Sequence, residues 1–331
     1  MTGYLRIIRL PNLLIIAATM LAVRYGLLET LWRHGINLLL DEGYLPQGVG
    51  LHMEGIDFSL LVLSTLLIAA AGYIINDYFD TKTDRINKPD RVVVGKTISR
   101  RWAITLHLVL SFIGLVLAGY LSWKCGHKKI VIIQLISIVA LWFYSSHLKK
   151  QMLAGNILIA MLAAMVPITV GIFEFSNGAL LSLEIMNVNT GTIGTTLLKE
   201  GMVMVIGYSV FAFLSNLIRE IVKDIEDMDG DIEQGCRTLP IVVGEIQARF
   251  IAMSLAVFTM ITLGLIMKYL LAYSMFEMFL YLAVAVQLPL LWLLITLWRA
   301  LEKSDYSRAS LICKILIVTG VLSMFMFRIT F

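Results

Sequence analysis

The sequence predicts an all-α protein, a bundle of nine transmembrane helices, and three observations carry that expectation. Of 331 residues, 59% are hydrophobic and 15% charged, with a mean hydropathy of +0.84, whereas a soluble domain is nearer half apolar and a quarter charged. Apolar stretches of ~17–25 residues, long enough to cross a bilayer, recur from end to end. Six prolines and no Ser/Gly-rich tract leave no linker, so residues 1–331 read as a single integral-membrane domain built of two helical halves.

Hydropathy places the spans at roughly 9–28, 58–77, 102–121, 130–147, 152–173, 201–219, 248–271, 275–298 and 309–329. The first follows Arg6 and Arg9 as a secretory leader would, but no small-residue cleavage site closes it, so it reads as a retained helix. Residues 29–57 are too polar to span, and Leu38-Leu39-Leu40 is expected in the interface. Span 58–77 runs into an acidic motif at 76–84. Residues 174–200, with Glu174, Asn177, Asn187, Asn189 and Gly191, read as an external loop. Span 201–219 leads to a second acidic motif at 224–231, and three further spans complete the chain. Arg24, His107, Gln134 and Gln287 lie in or near spans and are expected to make polar contacts between helices. The Met and Phe residues are expected to pack the interior. Cys125, Cys236 and Cys313 are far apart and match no metal spacing, so neither a disulfide framework nor a cysteine metal site is expected.

Charge bias orients the chain. A cytoplasmic N-terminus puts Arg6, Arg9, the seven basic residues of the 80–101 loop, Lys149, Lys150, Arg219, Lys223, Arg237, Arg249, Arg299, Lys303 and Arg308 on the inner side. Those are eighteen of the 27 basic residues, as the positive-inside rule requires. Lys124, Lys128 and Lys129 fall on the other side. The basic residues neither dominate one helix nor alternate with aromatics, which argues against a nucleic-acid partner.

The chemistry is carried by two motifs. Asp77, Asp80 and Asp84 lie at i, i+3 and i+7 and share one helix face within about 60°, with Asn76 beside them. Asp224, Asp227 and Asp231 repeat the spacing, each 147 positions after its counterpart. One such triad is most often a solvated helix end. Two at the ends of membrane helices form a stronger pattern, and the four spans between them, an even number, bring both out on the same side. Repulsion among six carboxylates calls for a cation. Mg2+ favours oxygen ligands and commonly takes one or two carboxylates together with water and substrate phosphate. The pattern therefore points to a diphosphate bridged to the protein by Mg2+, with Lys82, Arg85, Lys88, Arg91, Lys149, Arg219 and Lys223 as candidates for phosphate contact. A hydrocarbon chain on that diphosphate would lie among the helices. Metal-assisted departure of the diphosphate from an allylic carbon leaves a carbocation, which the π faces of Tyr73, Tyr78, Phe79 and Tyr144 would stabilise. The run Asp227-Met228-Asp229-Gly230-Asp231 superficially resembles a calcium loop, but Ile225 stands where that pattern needs an acid.

At these residues the sequence resembles the UbiA superfamily of intramembrane prenyltransferases. Asn76, Asp77, Asp80 and Asp84 match its N-D-x-x-D-x-x-x-D, followed by Asn87-Lys88-Pro89-Asp90-Arg91 and Gly95-Lys96-Thr97-Ile98-Ser99. The second motif, Lys223 to Asp231, is followed by Gly235 and Arg237-Thr238-Leu239-Pro240. Tyr144-Ser145-Ser146-His147-Leu148-Lys149, Gly155-Asn156 and Arg9-Leu10-Pro11-Asn12 match further segments. The resemblance implies a nine-helix bundle with its site at the cytoplasmic end, Mg2+ as cofactor and an isoprenyl diphosphate donor. It implies catalytic roles for Asp80, Asp84, Asp227 and Asp231. Metal contacts would come from Asn76, Asp77, Asp80, Asp84, Asp224, Asp227 and Asp231, with Asp77 and Asp224 ligating or supporting. Diphosphate contacts would come from Asn76, Arg85, Lys149 and Lys223. The branch it most resembles makes digeranylgeranylglyceryl phosphate, which implies a lipid-like hydroxyl acceptor; prenylation of an aromatic or quinone precursor is the alternative. The family's usual R-P-I after the first motif is Arg91-Val92-Val93 here, and the segments 29–57 and 174–200 are long. Outside the enzyme class the rival is a transporter or channel. That rival fits less well, because the two halves are parallel copies and their acids lie at helix ends rather than at mid-bilayer.

Overall fold

The computed structural model describes residues 7–41, 53–87, 92–125, 129–174 and 191–330. Regular structure there is helical apart from an isolated bridge between Val94 and Ile98. In chain order the principal helices are α1 (Leu10–Leu21), α2 (Glu29–Asp41), α3 (Gly55–Asn87), α4 (Arg100–Lys124), α5 (Lys129–Ser146), α6 (Ala154–Glu174) and α7 (Gly191–Glu226). They continue as α8 (Met228–Glu233), α9 (Leu239–Val243), α10 (Glu245–Ala272), α11 (Phe276–Leu282), α12 (Leu288–Arg299) and α13 (Lys303–Thr330). Among the described residues eight helices are long and apolar enough to cross a membrane. The ninth expected span is the shorter apolar helix Val131–Ser146.

Two expectations are corrected. Residues 29–57, expected to be too polar to span, begin in a helix, and the first candidate span runs on to His34. The first helix passes through a π-helical segment, Ala22–Leu28, directly into α2. Leu31 and Trp32 are buried while Glu29 and Arg33 pair at 2.6 Å one turn apart, so the segment's polar residues share a face and do not break the helix. Leu38, Leu39 and Leu40 continue it, and their side chains lie outside the described residues. The loop expected at 174–200 likewise ends early, because α7 starts at Gly191; residues 175–190 lie outside the description.

One hydrophobic core joins the halves, with Met20, Leu27, Phe58, Phe173, Ile218, Leu290 and Leu316 almost wholly buried. Inside an apolar bundle every polar group needs a partner, and the expected contacts between helices are present. His107 Nδ1 meets the Ala71 carbonyl at 2.9 Å, Gln134 Nε2 donates to Thr65 Oγ1 at 3.1 Å, and Gln287 Nε2 donates to the Met260 carbonyl at 2.9 Å. Arg24 is neutralised by Glu174 at 3.1 Å and lies 4.5 Å from the Phe58 ring centroid.

The element that positions the site is short. After α7 the chain turns at Asp227 into α8, which packs against α3. The Arg237 amide then donates to the Lys150 carbonyl at 2.8 Å, tying the second motif's exit to the segment between α5 and α6.

Candidate active site

Because α3 stays helical to Asn87, well beyond its apolar run, the first motif is displayed on a rigid helix face. Asn76 and Asp80 are buried. Asn76 Nδ2 donates to Asp80 Oδ2 at 2.6 Å, and the Lys149 ammonium pairs with the same oxygen. Asp77 Oδ1 accepts from Arg9 Nη2 at 2.7 Å, and the same guanidinium lies 5.3 Å from the centroid of the Tyr73 ring. In the second motif Asp224 Oδ2 accepts from Asn156 Nδ2 at 2.8 Å, and Asp231 is buried.

The internal repeat governs these partners as well as the acids. Arg9 to Asp77 and Asn156 to Asp224 each span 68 positions, and Arg9 and Asn156 are themselves 147 apart, as the motifs are. The first aspartate of each triad is thus anchored to the start of the membrane helix that opens its own half.

Asp80 of the first half acts electrostatically on Asp231 of the second. Burial pushes the Asp231 carboxyl up to about 6. The carboxylates of Asp227 and Asp80 act in the same direction, and Lys149 and Lys223 oppose them. Asp80, Asp227, Asp231 and Lys149 therefore share one electrostatic neighbourhood. Asp84 stands on α3 in helical backbone, its side chain outside the description, as is that of Lys82; Lys88 and Arg91 lie outside it altogether. Arg85 is exposed, beside the turn at Gly95.

Behind this mouth a cavity of about 250 Å³ runs into the bundle, with Arg9, Asn76, Glu220 and Lys223 near the motifs and Thr65, Gln134, Tyr208 and Val321 deeper. Tyr73 and Tyr144 line it. Tyr78 and Phe79 are not among its lining residues, which corrects the expectation for both. Tyr78 lies 4.3 Å from the Arg100 guanidinium and Phe79 meets Trp142 edge-on at 5.9 Å. Glu220 lies outside both motifs, is buried and accepts from Arg219 Nη1 at 2.8 Å. The sequence signals it, because it lies four residues before Asp224 and extends the acidic face by one turn.

Among the described residues no three acidic, His or Cys side chains come close enough to enclose an ion by themselves. A site for Mg2+ does not need that cage, because substrate phosphate and water supply most of its ligands. The donor set fits. It is all oxygen, Asp80 and Asp227 both act on Asp231 electrostatically, and Asn76 Oδ1 is buried without a hydrogen-bond partner.

The chain is similar to several known proteins. A digeranylgeranylglyceryl phosphate synthase of Thermococcus gammatolerans is 35% identical over 208 residues, covering 63% of this chain; the chain spans 64% of that relative's length. A solved structure concerning digeranylgeranylglyceryl phosphate synthase in membranes shares the fold at a TM-score of 0.59 and 22% identity, over 98% of both chains. A UbiA homologue from Archaeoglobus fulgidus bound to GPP and Mg2+ aligns at a TM-score of 0.50 and 14% identity, over 97% of this chain and 99% of that one. The UbiA prenyltransferase family model matches residues 48–326, a stretch that holds both carboxylate motifs and most of the bundle between and around them, and the chain belongs to that family.

Proposed function

We propose that this protein is a Mg2+-dependent prenyltransferase that moves a long-chain prenyl group from an allylic isoprenyl diphosphate to the hydroxyl of a glycerol-phosphate lipid within the membrane. The observation that carries the proposal is the packing of α8 against α3, with Lys149 on Asp80, beside a cavity that Asn76 and Lys223 line but the motif aspartates do not. The similarity to digeranylgeranylglyceryl phosphate synthases favours the lipid acceptor.

In this reading Asn76, Asp80, Asp84, Asp227 and Asp231 hold Mg2+, and Asp77 and Asp224 support them from behind. The bound metal would neutralise the departing diphosphate. Lys149, Lys223 and Arg85 bind its oxygens as cations. The apolar cavity receives the hydrocarbon chain and keeps water from the allylic carbon, while the Tyr73 and Tyr144 rings offer π faces to positive charge there. The allylic carbon–oxygen bond breaks, an ether bond forms to the acceptor oxygen, and the hydroxyl proton leaves with the diphosphate. Placing the motifs on the cytoplasmic side follows from the excess of Lys and Arg around them.

The test is a panel assay. Purified protein with Mg2+ and labelled geranylgeranyl diphosphate is expected to prenylate geranylgeranylglyceryl phosphate and to leave 4-hydroxybenzoate, dihydroxynaphthoate and homogentisate unmodified. Turnover of an aromatic acceptor alone would move the protein to that branch. No transfer to any acceptor, with ion flux in proteoliposomes, would place it outside the enzyme class.

The Mg2+ requirement should also depend on pH. With the Asp231 carboxyl at about 6, binding a divalent ion must displace a proton below that pH and none well above it. Titrations should show Mg2+ affinity level above pH 7 and falling by up to about tenfold per pH unit below 6. Linkage has the opposite sign for the metal-free fold. A carboxyl raised above its unfolded value of 3.8 contributes stability below that value and loses it as pH rises through about 6. Affinity unchanged from pH 5 to 8 would remove Asp231 from the metal site.

A further inference from the structure

The 147-position offset that relates the two acidic motifs also relates two residues one turn deeper, Tyr73 on α3 and Glu220 on α7. Each lies four residues before the first aspartate of its motif, about 6 Å further into the bundle along its helix. Both line the cavity. Asn76 and Lys223, matched by the same offset, line it as well. The halves thus bring corresponding positions to one cavity with unlike chemistry. The first offers an aromatic ring, the second a carboxylate.

A buried acid in a membrane-spanning segment is expensive and calls for a role. The simpler account is that Glu220 neutralises Arg219, its neighbour in sequence, through the 2.8 Å contact between Nη1 and Oε1. That contact occupies one oxygen only. Oε2 makes no hydrogen bond or close ion pair among the described residues, and it is not sealed away without a partner, so it opens on the cavity. The pair does not close on itself either, because Arg219 Nε is buried without an acceptor. Arg9, Lys149 and Lys223 also lie within electrostatic reach of Glu220. Neutralising an arginine requires a carboxylate, but not one whose second oxygen faces the space where substrate would lie.

We propose that Glu220 binds the acceptor hydroxyl through Oε2, turns its lone pair toward the allylic carbon of the donor and takes its proton. The inference rests on the reading of the protein as a prenyltransferase acting on a hydroxyl acceptor. The allylic carbon is bonded to the diphosphate, so it comes just inside the headgroup, at the level of Tyr73 and Glu220. As the ether bond forms, the acceptor O–H bond breaks and its proton passes to Oε2. From there it goes to the departing diphosphate, which restores the carboxylate.

Two acceptors separate this role from a structural one. Full-length protein in nanodiscs with Mg2+ and geranylgeranyl diphosphate is given geranylgeranylglyceryl phosphate, or its analogue with a thiol in place of the hydroxyl. A thiol, with a pKa of about 8.5, needs far less help than an alcohol to lose its proton. Glu220→Gln keeps the size of the side chain and can still accept from Arg219 through its amide oxygen. It is expected to lower kcat/KM for the hydroxyl acceptor by about a hundredfold, and for the thiol by less than about tenfold. Mg2+-dependent binding of labelled donor should match wild type. Glu220→Asp, which keeps the charge but draws it back, should recover part of the hydroxyl rate. Because both acceptors are compared within one preparation, any loss of folded protein cancels. Equal losses on the two acceptors in Glu220→Gln, or a loss confined to donor binding, overturn the role of Glu220 and leave the prenyltransferase reading standing. Wild type that alkylates neither acceptor overturns that reading, and this inference with it.

Discussion

Replacing Asp80 with asparagine is expected to reduce prenyl transfer by on the order of a thousandfold, the scale of losing a metal's charge stabilisation. The reason is geometric. Asp80 Oδ2 takes both the Asn76 amide and the Lys149 ammonium, and α8 brings the second motif against the same helix. Asp80 combines three functions: an oxygen donor, the partner of Lys149 and part of the field that raises Asp231. Asparagine keeps the shape but loses the charge and can turn a donor toward two donors, so Lys149 would lose its anchor. Full activity within tenfold of wild type, in protein that is inserted and monodisperse with an unchanged Tm, would remove Asp80 from the metal site.

How far the sequence reaches is best judged residue by residue. The membrane helices were legible because lipid forces long apolar runs, and the two motifs because carboxylates at a membrane boundary need a purpose. Their convergence was legible from counting spans. The helix through residues 29–41 was not, because its polarity is high on average and only the burial of Leu31 and Trp32 sorts its faces. Tyr78 and Phe79 were misplaced for a related reason. Their proximity in sequence to Asp77 and Asp80 says nothing about which side of α3 they take, and Arg100 and Trp142 meet them away from the cavity. Arg9 and Asn156 stand out in the sequence by resemblance alone, and their pairing with the motifs was recoverable from the repeat. Carrying the 147-residue offset from the motifs to Arg9 lands on Asn156, and the structure pairs each with the first aspartate of its half. Such a pairing lies beyond any local window, because it depends on helices 68 positions apart lying side by side.

Lys149→Met is expected to lower kcat/KM for the diphosphate donor by about a hundredfold, chiefly through KM, since in the proposed mechanism it removes a charged contact to phosphate. Lys149 belongs to neither motif. It reaches Asp80 because the turn Leu148–Lys150 is pressed onto the start of α6 at Gly155, where a β-carbon would come within 2.9 Å of the Leu148 carbonyl oxygen and 3.0 Å of the Lys149 Cα. Gly155→Ala should therefore reproduce the Lys149 signature in milder form, about a tenfold rise in donor KM, although residue 155 belongs to neither motif. A structural role alone would lower Tm and leave KM untouched. The Asp80 and Lys149 substitutions should also fall short of additivity when combined, because each removes the other's partner. Independent effects in Asp80→Asn/Lys149→Met, together with an unchanged donor KM in Gly155→Ala, would mean that the Lys149–Asp80 pair only fastens two helices and that the diphosphate is held elsewhere.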